Sequence, residues 1–226
     1  MRRTVDWRDE AAVEAQLTDE FRPKYEMWNA TFDVPYHVFR QRLKEIAQLN
    51  LGRVEGAVVG EAPAAALVVP VDDDDWFAPD VATRLQRACD PAMRGYCWTR
   101  FVLEARPFNP LRRRTDHGGF SCGTNNYAVA PEWRDLTAGH AKASRHFDAH
   151  GGEVKRLAGM LSLQNRNLSS QTVLGWKRPT ISRARLLRRF RRYGKLYRRA
   201  LPPELAWAQP YVERMAELMA ELSPSS

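Results

Sequence analysis

The sequence predicts an α/β protein, a mixed sheet flanked by helices with a basic helical appendage at its C-terminus. Three observations carry this. Two apolar, β-branched runs, Val54–Val59 and Ala65–Val71, are continuous rather than alternating, as strands covered on both faces are. Amphipathic stretches of helical spacing stand before and after them. The charge is also divided. The 226-residue chain carries +8, but Val154–Pro203 holds fourteen Lys and Arg and no Asp or Glu, which leaves 21 basic and 27 acidic residues elsewhere, a net −6. An acidic body with one basic segment implies a localised anionic partner. The length suits one large domain with an appendage, read as residues 1–175 and 176–226.

Taken in order, residues 4–30 read as helical and interrupted at Pro23, with Tyr25, Trp28 and Phe32 spaced for core packing. Tyr36–Asn50 is an amphipathic helix with Phe39, Leu43, Ile46 and Leu49 on its apolar face, and Gly52 is a candidate left-handed cap. The strands Val54–Val59 and Ala65–Val71 follow, joined by a turn at Gly60–Pro63. Pro79–Ala88 reads as a helix, Tyr96–Ala105 as an aromatic and β-branched strand, and Pro107–Gly119 as a loop holding Arg112, Arg113 and Arg114. A short strand is expected at Tyr127–Ala130 and a polar, mobile loop at Asn165–Gln171. Ser182 N-caps a basic amphipathic helix to about Arg199, with Leu186, Phe190, Tyr193 and Tyr197 at i, i+4, i+7 and i+11. After Pro202-Pro203 a final helix, Glu204–Leu222, covers the body or pairs with a second copy, and Ser223–Ser226 fray.

Composition narrows the setting. Cys89, Cys97 and Cys122 form no CxxC pair, which argues for a reducing, cytoplasmic environment and against a disulfide framework or zinc knuckle. Arg2 and Arg3 are followed by Asp6, Asp9 and Glu10 rather than an apolar core, so no signal peptide is expected. Glu55, Glu61 and Pro63 break the longest apolar stretch, so it is no membrane span.

The stretch with the most chemistry is Val68-Val69-Pro70-Val71-Asp72-Asp73-Asp74-Asp75-Trp76-Phe77-Ala78-Pro79-Asp80. Four adjacent carboxylates repel one another unless a positive charge lies among them. A hard cation such as Mg²⁺ or Mn²⁺ suits an all-oxygen site, completed by diphosphate oxygens and water. Downstream, Gly123 permits close approach of a ligand, and Thr124, Asn125 and Asn126 offer donors and acceptors suited to sugar hydroxyls. His140, His146 and Asp148 supply candidates for a general base or metal ligand.

An apolar strand, Asp-x-Asp-Asp, aromatics and then Pro-Asp resembles the metal-binding motif of GT-A-fold glycosyltransferases, whose Rossmann-like mixed sheet binds nucleotide-sugar donors. The resemblance implies Asp74 as first choice for the metal ligand and Asp72 for the ribose side, with Asp73 and Asp75 as alternates. It places Gly123–Asn126 beside the donor sugar. It implies a nucleoside-diphosphate sugar as donor, Mn²⁺ or Mg²⁺ as cofactor, and a glycan, lipid-linked or small-molecule hydroxyl as acceptor. The family's β-rich opening is missing before residue 54. That departure keeps a second reading in play, a non-catalytic scaffold of the same fold. Residues 177–199 fit an anionic membrane surface, which would hold a cytoplasmic enzyme at the inner membrane face. Nucleic acid, with Phe190, Tyr193 and Tyr197 as stacking groups, ranks last, because the acidic body would repel a polyanion.

Overall fold

The computed structural model describes residues 9–15, 17–19, 21–56, 67–72, 75–105, 111–114, 120, 122–123, 125–138, 140–170, 174 and 180–224, with the side chains of 111–114 and 140 excluded. It is a mixed α/β protein. Its strands are β1 (Asp75–Phe77), β2 (Gly95–Trp98), β3 (Arg100–Leu103), β4 (Leu111–Arg114), β5 (Tyr127–Val129), β6 (Val154–Leu157) and β7 (Ser162–Asn165). Its helices are α1 (Glu10–Glu14), α2 (Arg22–Asn29), α3 (Tyr36–Leu51), α4 (Val81–Ala88), α5 (His140–Ala149), α6 (Arg183–Leu196) and α7 (Gln209–Glu221), with 3₁₀ turns at Pro131–Ala138, Gly151–Glu153 and Pro203–Ala208.

The strands form two small mixed sheets, ordered β1-β7-β3-β4 and β5-β2-β6. Thr99 alone separates β2 from β3, yet the two lie in different sheets, and β6 and β7 divide in the same way. β2 runs parallel to β6 with Gly95 opposite Val154, and β3 runs parallel to β7 with Phe101 opposite Leu163. Two long segments therefore travel side by side through both sheets. The second carries three extra residues at the crossing, where Gly159 takes a φ of 101° that a residue with a Cβ rarely adopts.

Strand alternation then assigns the faces. On one face of the four-stranded sheet Trp76, Phe101 and Leu163 enter the main core with Trp28, Phe39, Leu186, Met215 and other side chains of α2, α3, α6 and α7. On the three-stranded sheet, Cys97, Tyr127 and Val129 pack under Ala143 and Phe147 of α5, and the opposite face, with Tyr96 and Trp98, packs under Val81 and Leu85 of α4. The other face of the four-stranded sheet is mixed: Asp75 lies opposite Gln164 and Arg100 is on the neighbouring row, while Val102 lies opposite Gln164 on its other side and Phe77 enters the core under α4.

Several expectations change. The strand was expected before the acidic run, but among the described residues 67–71 only Val68 pairs, in a bridge to Val129, and the strand begins at Asp75. Pro70 has no N–H with which to continue the ladder, while Trp76 and Phe77 each fill a different core. Val54–Gly56 form turns, and the rest of the expected first strand, with residues 65 and 66 of the second, lies outside the described residues. Gly52 is right-handed, and the positive φ falls at Gly56. Pro23 begins α2 rather than interrupting a helix, since a missing N–H costs nothing in the first turn. The arginine loop is strand β4, hydrogen-bonded to β3. Residues 165–170 form an ordered turn: Asn167 Oδ1 accepts from Ser169 N (2.9 Å) and Oγ (2.7 Å), and Tyr36 Oη donates to the Ser169 carbonyl (3.0 Å). Of the expected fraying tail, Ser223 and Pro224 are fastened, Pro224 bridged to Phe32 and Asp33 N donating to the Ser223 carbonyl, and residues 225 and 226 lie outside the described residues. Ser182 caps α6 as expected, its Oγ accepting from Arg185 N.

Candidate functional site

The acidic run links the two sheets: Val68 pairs beside β5 of one, and Asp75 pairs with β7 of the other. Asp75 N donates to the Asp72 carbonyl at 3.3 Å, which draws the two ends of the run together. Asp75 is fully buried, because strand alternation turns it inward beside Gln164, whereas Asp72 is half-buried. Asp73 and Asp74 lie outside the described residues. Asp72 is close enough to Tyr127 to help raise the pKa of its phenol, a rise caused first by burial and then by Cys122. That phenol stays neutral and donates to the Leu136 carbonyl at 3.3 Å.

Opposite this run is Arg100, whose Nη2 donates to Gln164 Oε1 at 2.7 Å. Gly123 packs against the guanidinium: a Cβ there would lie 2.6 Å from Arg100 Nε and 3.1 Å from Asn126 Oδ1, so glycine is needed for the guanidinium to remain where it is. Asn126 is a clasp. Its Oδ1 accepts from Gly123 N, its Nδ2 donates to the Trp98 carbonyl at 3.0 Å, and its own carbonyl accepts from Trp98 N. Asn125 is fully buried, and neither atom of its amide has a hydrogen-bond partner among the described residues. Thr124 lies outside them.

Segments about fifty residues apart in sequence are thus linked through Arg100 and Gln164: Gly123 packs on the Arg100 guanidinium, Arg100 donates to Gln164, and Gln164 lies opposite Asp75. Arg100 and Gln164 escaped the sequence reading. The available signal was a lone arginine inside the apolar strand Tyr96-Cys97-Trp98-Thr99-Arg100-Phe101-Val102-Leu103, because a charge at such a position needs a partner.

His146 packs elsewhere. His140 opens α5, and its side chain is outside the described residues. His146 stacks on His150 (centroids 4.1 Å apart) and meets the Trp133 ring edge-on at 4.5 Å. Trp133 and Phe147 lie against Gly95, the first residue of β2, whereas Arg100 opens β3 in the other sheet. Burial, and then His150, hold the His146 pKa below its ordinary 6.5. Asp148 is exposed, and its Oδ1 accepts from Phe120 N at 2.7 Å; Ser144 Oγ on the same helix accepts from Cys122 N at 2.9 Å. α5 therefore holds the segment leading into Gly123, and Asp148 has a positioning role there.

Two carboxylates, Asp72 and Asp75, offer hard oxygen donors to a cation; among the described residues no group of three or more His, Cys, Asp or Glu is gathered. No helix among them is long and apolar enough to cross a membrane. Comparison with known protein families, with curated proteins and with solved structures returns no match for this chain.

Proposed function

We propose that the crossing of the two sheets binds a nucleoside-diphosphate sugar and transfers its sugar to a hydroxyl acceptor, on a GT-A-like variant of this mixed α/β architecture. The observation that carries the reading is the row of Asp75, Gln164 and Arg100 on one face of the four-stranded sheet, with Gly123 packed against the guanidinium and the buried Asn125 amide two residues beyond it in the chain. Each suits one part of such a ligand. The Arg100 guanidinium matches diphosphate oxygens in charge and fork geometry. An enclosed amide without protein partners suits a sugar hydroxyl that both donates and accepts. The oxygen donors of the acidic run fit Mg²⁺ or Mn²⁺, so Asp72 and Asp75, with Asp74 from the same run, are the residues that would hold it. Such an ion supplies positive charge to the departing diphosphate. Gly123 keeps Arg100 in position, and α5, through Asp148 and Ser144, keeps Gly123 in position. The acceptor would be a glycan, a lipid-linked precursor or a small natural product.

The engagement of Asp148 with Phe120 and the packing of His146 against Trp133 favour a second reading, donor binding without turnover. Thermal melting against nucleoside diphosphates and nucleotide sugars, with and without Mn²⁺, tests both. A ligand at a hundred times its Kd adds about 2.7 kcal/mol to stability. A metal-dependent rise with one nucleotide, lost in Asp72→Asn and Arg100→Gln, supports the site, and release of free sugar or glycoside separates transfer from binding. No rise with any nucleotide overturns the proposal.

A further inference from the structure

We propose that the groove between α6 and α7 binds a lipid phosphate, with its alkyl chain along the groove floor and its phosphate on α6. The groove has a volume of about 440 Å³, within the usual range for small-molecule sites and too small for a docked helix. Its floor is apolar, formed by Phe190 with Ala216, Met219 and Leu222. Its wall is basic. Arg191 and Lys195 stand at i and i+4 on α6, Arg198 lines the same wall from the turn that follows the helix, and all three are exposed.

Nothing on the neighbouring helix neutralises that wall. Glu217 of α7 pairs with Arg214 at 2.8 Å, Glu221 pairs with Arg42 of α3, and Glu213 accepts from Gln209. Arg191, Lys195 and Arg198 have no acidic partner among the described residues. Gly194 lies between them, and a Cβ placed there would meet nothing within 4 Å. Glycine within a helix is unfavourable by about 1 kcal/mol relative to alanine, and here it leaves the groove open.

An apolar trough edged by cations calls for an amphiphilic anion. Nucleic acid fits less well, because Tyr193 and Tyr197, the aromatics that would stack on bases, are buried in the main core. This inference does not depend on the glycosyl-transfer reading. If both hold, the groove would keep the protein beside lipid-linked acceptors.

The test uses the full chain with phosphatidylcholine vesicles, the same vesicles containing phosphatidic acid, and monomeric dodecyl phosphate in solution. Binding to the acidic vesicles alone shows a membrane source; a rise in melting temperature with dodecyl phosphate, without vesicle binding, shows a free lipid phosphate. Either result supports the proposal if Arg191→Ala/Lys195→Ala/Arg198→Ala weakens binding about a hundredfold and Gly194→Leu weakens it with every cation retained. Gly194→Ala, expected to melt higher than the parent, controls for helix integrity. Equal binding to neutral vesicles overturns the proposal. So does wild-type binding by Gly194→Leu, which would leave only surface charge. An oligonucleotide, an acidic peptide or inorganic phosphate binding at least as well as dodecyl phosphate would also overturn it. The nucleotide-sugar melting shift should be unchanged in all these variants, so failure of one proposal does not carry to the other.

Discussion

The Asn125 amide and His146 Nε2 are both buried without hydrogen-bond partners among the described residues, and they lead to opposite expectations. An orphaned amide costs stability with no return in the ligand-free protein. Asn125→Leu should therefore be neutral or stabilising by up to about 2 kcal/mol, while abolishing the nucleotide-sugar melting shift. A large loss of stability would mean that the amide is structural. For His146 the sign runs the other way from a paired histidine. Its folded pKa is below 6.5, so in acid the unfolded chain takes up a proton that the folded chain resists. Stability contributed by the neutral imidazole is complete above pH 6.5 and is lost as pH falls from there toward the depressed folded value. His146→Phe, which keeps a ring against Trp133, should flatten that slope in urea titrations run between pH 7 and 5. An unchanged slope would assign the acid sensitivity to other groups.

At the scale of elements, the edge of the four-stranded sheet is held by a side chain. Fully buried Asn50, in the last turns of α3, donates from Nδ2 to the Phe77 carbonyl (2.8 Å) and accepts from Phe77 N at Oδ1 (2.7 Å). It does for β1 what another strand would do, and β1 in turn fixes Asp75. Asn50→Ala leaves both backbone groups of Phe77 buried and unpaired and should cost about 2–4 kcal/mol, read as a lower urea midpoint with unchanged m. This residue also explains a misplaced stripe. Leu49 is 56 % exposed although its spacing from Ile46 suits the apolar face of α3; the inward positions continue from Ile46 to Asn50, four residues on rather than three. Tertiary hydrogen bonding outweighed hydropathy there, and no periodicity in the sequence signals it.

At the scale of the molecule, α6 and α7 share one core with the sheet. Leu186, Tyr193, Val212, Met215 and Leu218 pack in the same cluster as Trp76, Phe101 and Leu163. Removing residues 201–226 strips Leu205, Tyr211, Val212, Met215, Leu218 and Met219 from it. At about 1.5–3 kcal/mol for each large apolar side chain this exceeds or matches the usual stability of a domain. The truncated chain should lack a cooperative melting transition by circular dichroism; a sharp transition would make the C-terminal helices a detachable unit.

The sequence by itself determined the helices α3, α4 and α6, the Ser182 cap and the strand at Tyr127, and it marked Tyr96–Ala105 as extended, though as one strand where the structure has β2 and β3 in different sheets. These depend on local spacing, capping and charge, which a chain carries wherever it folds. Only the tertiary structure decided which stretches became paired strands. Pro70 halted a run that looked like a strand, and β4 formed from an arginine-rich stretch because β3 lay beside it. Tertiary structure also turned Asp148 to Phe120 and set Gly123 against Arg100, which donates to Gln164 opposite Asp75. Pairing partners lie far apart along the chain, and the face on which a side chain emerges depends on register, which a single strand read alone does not specify.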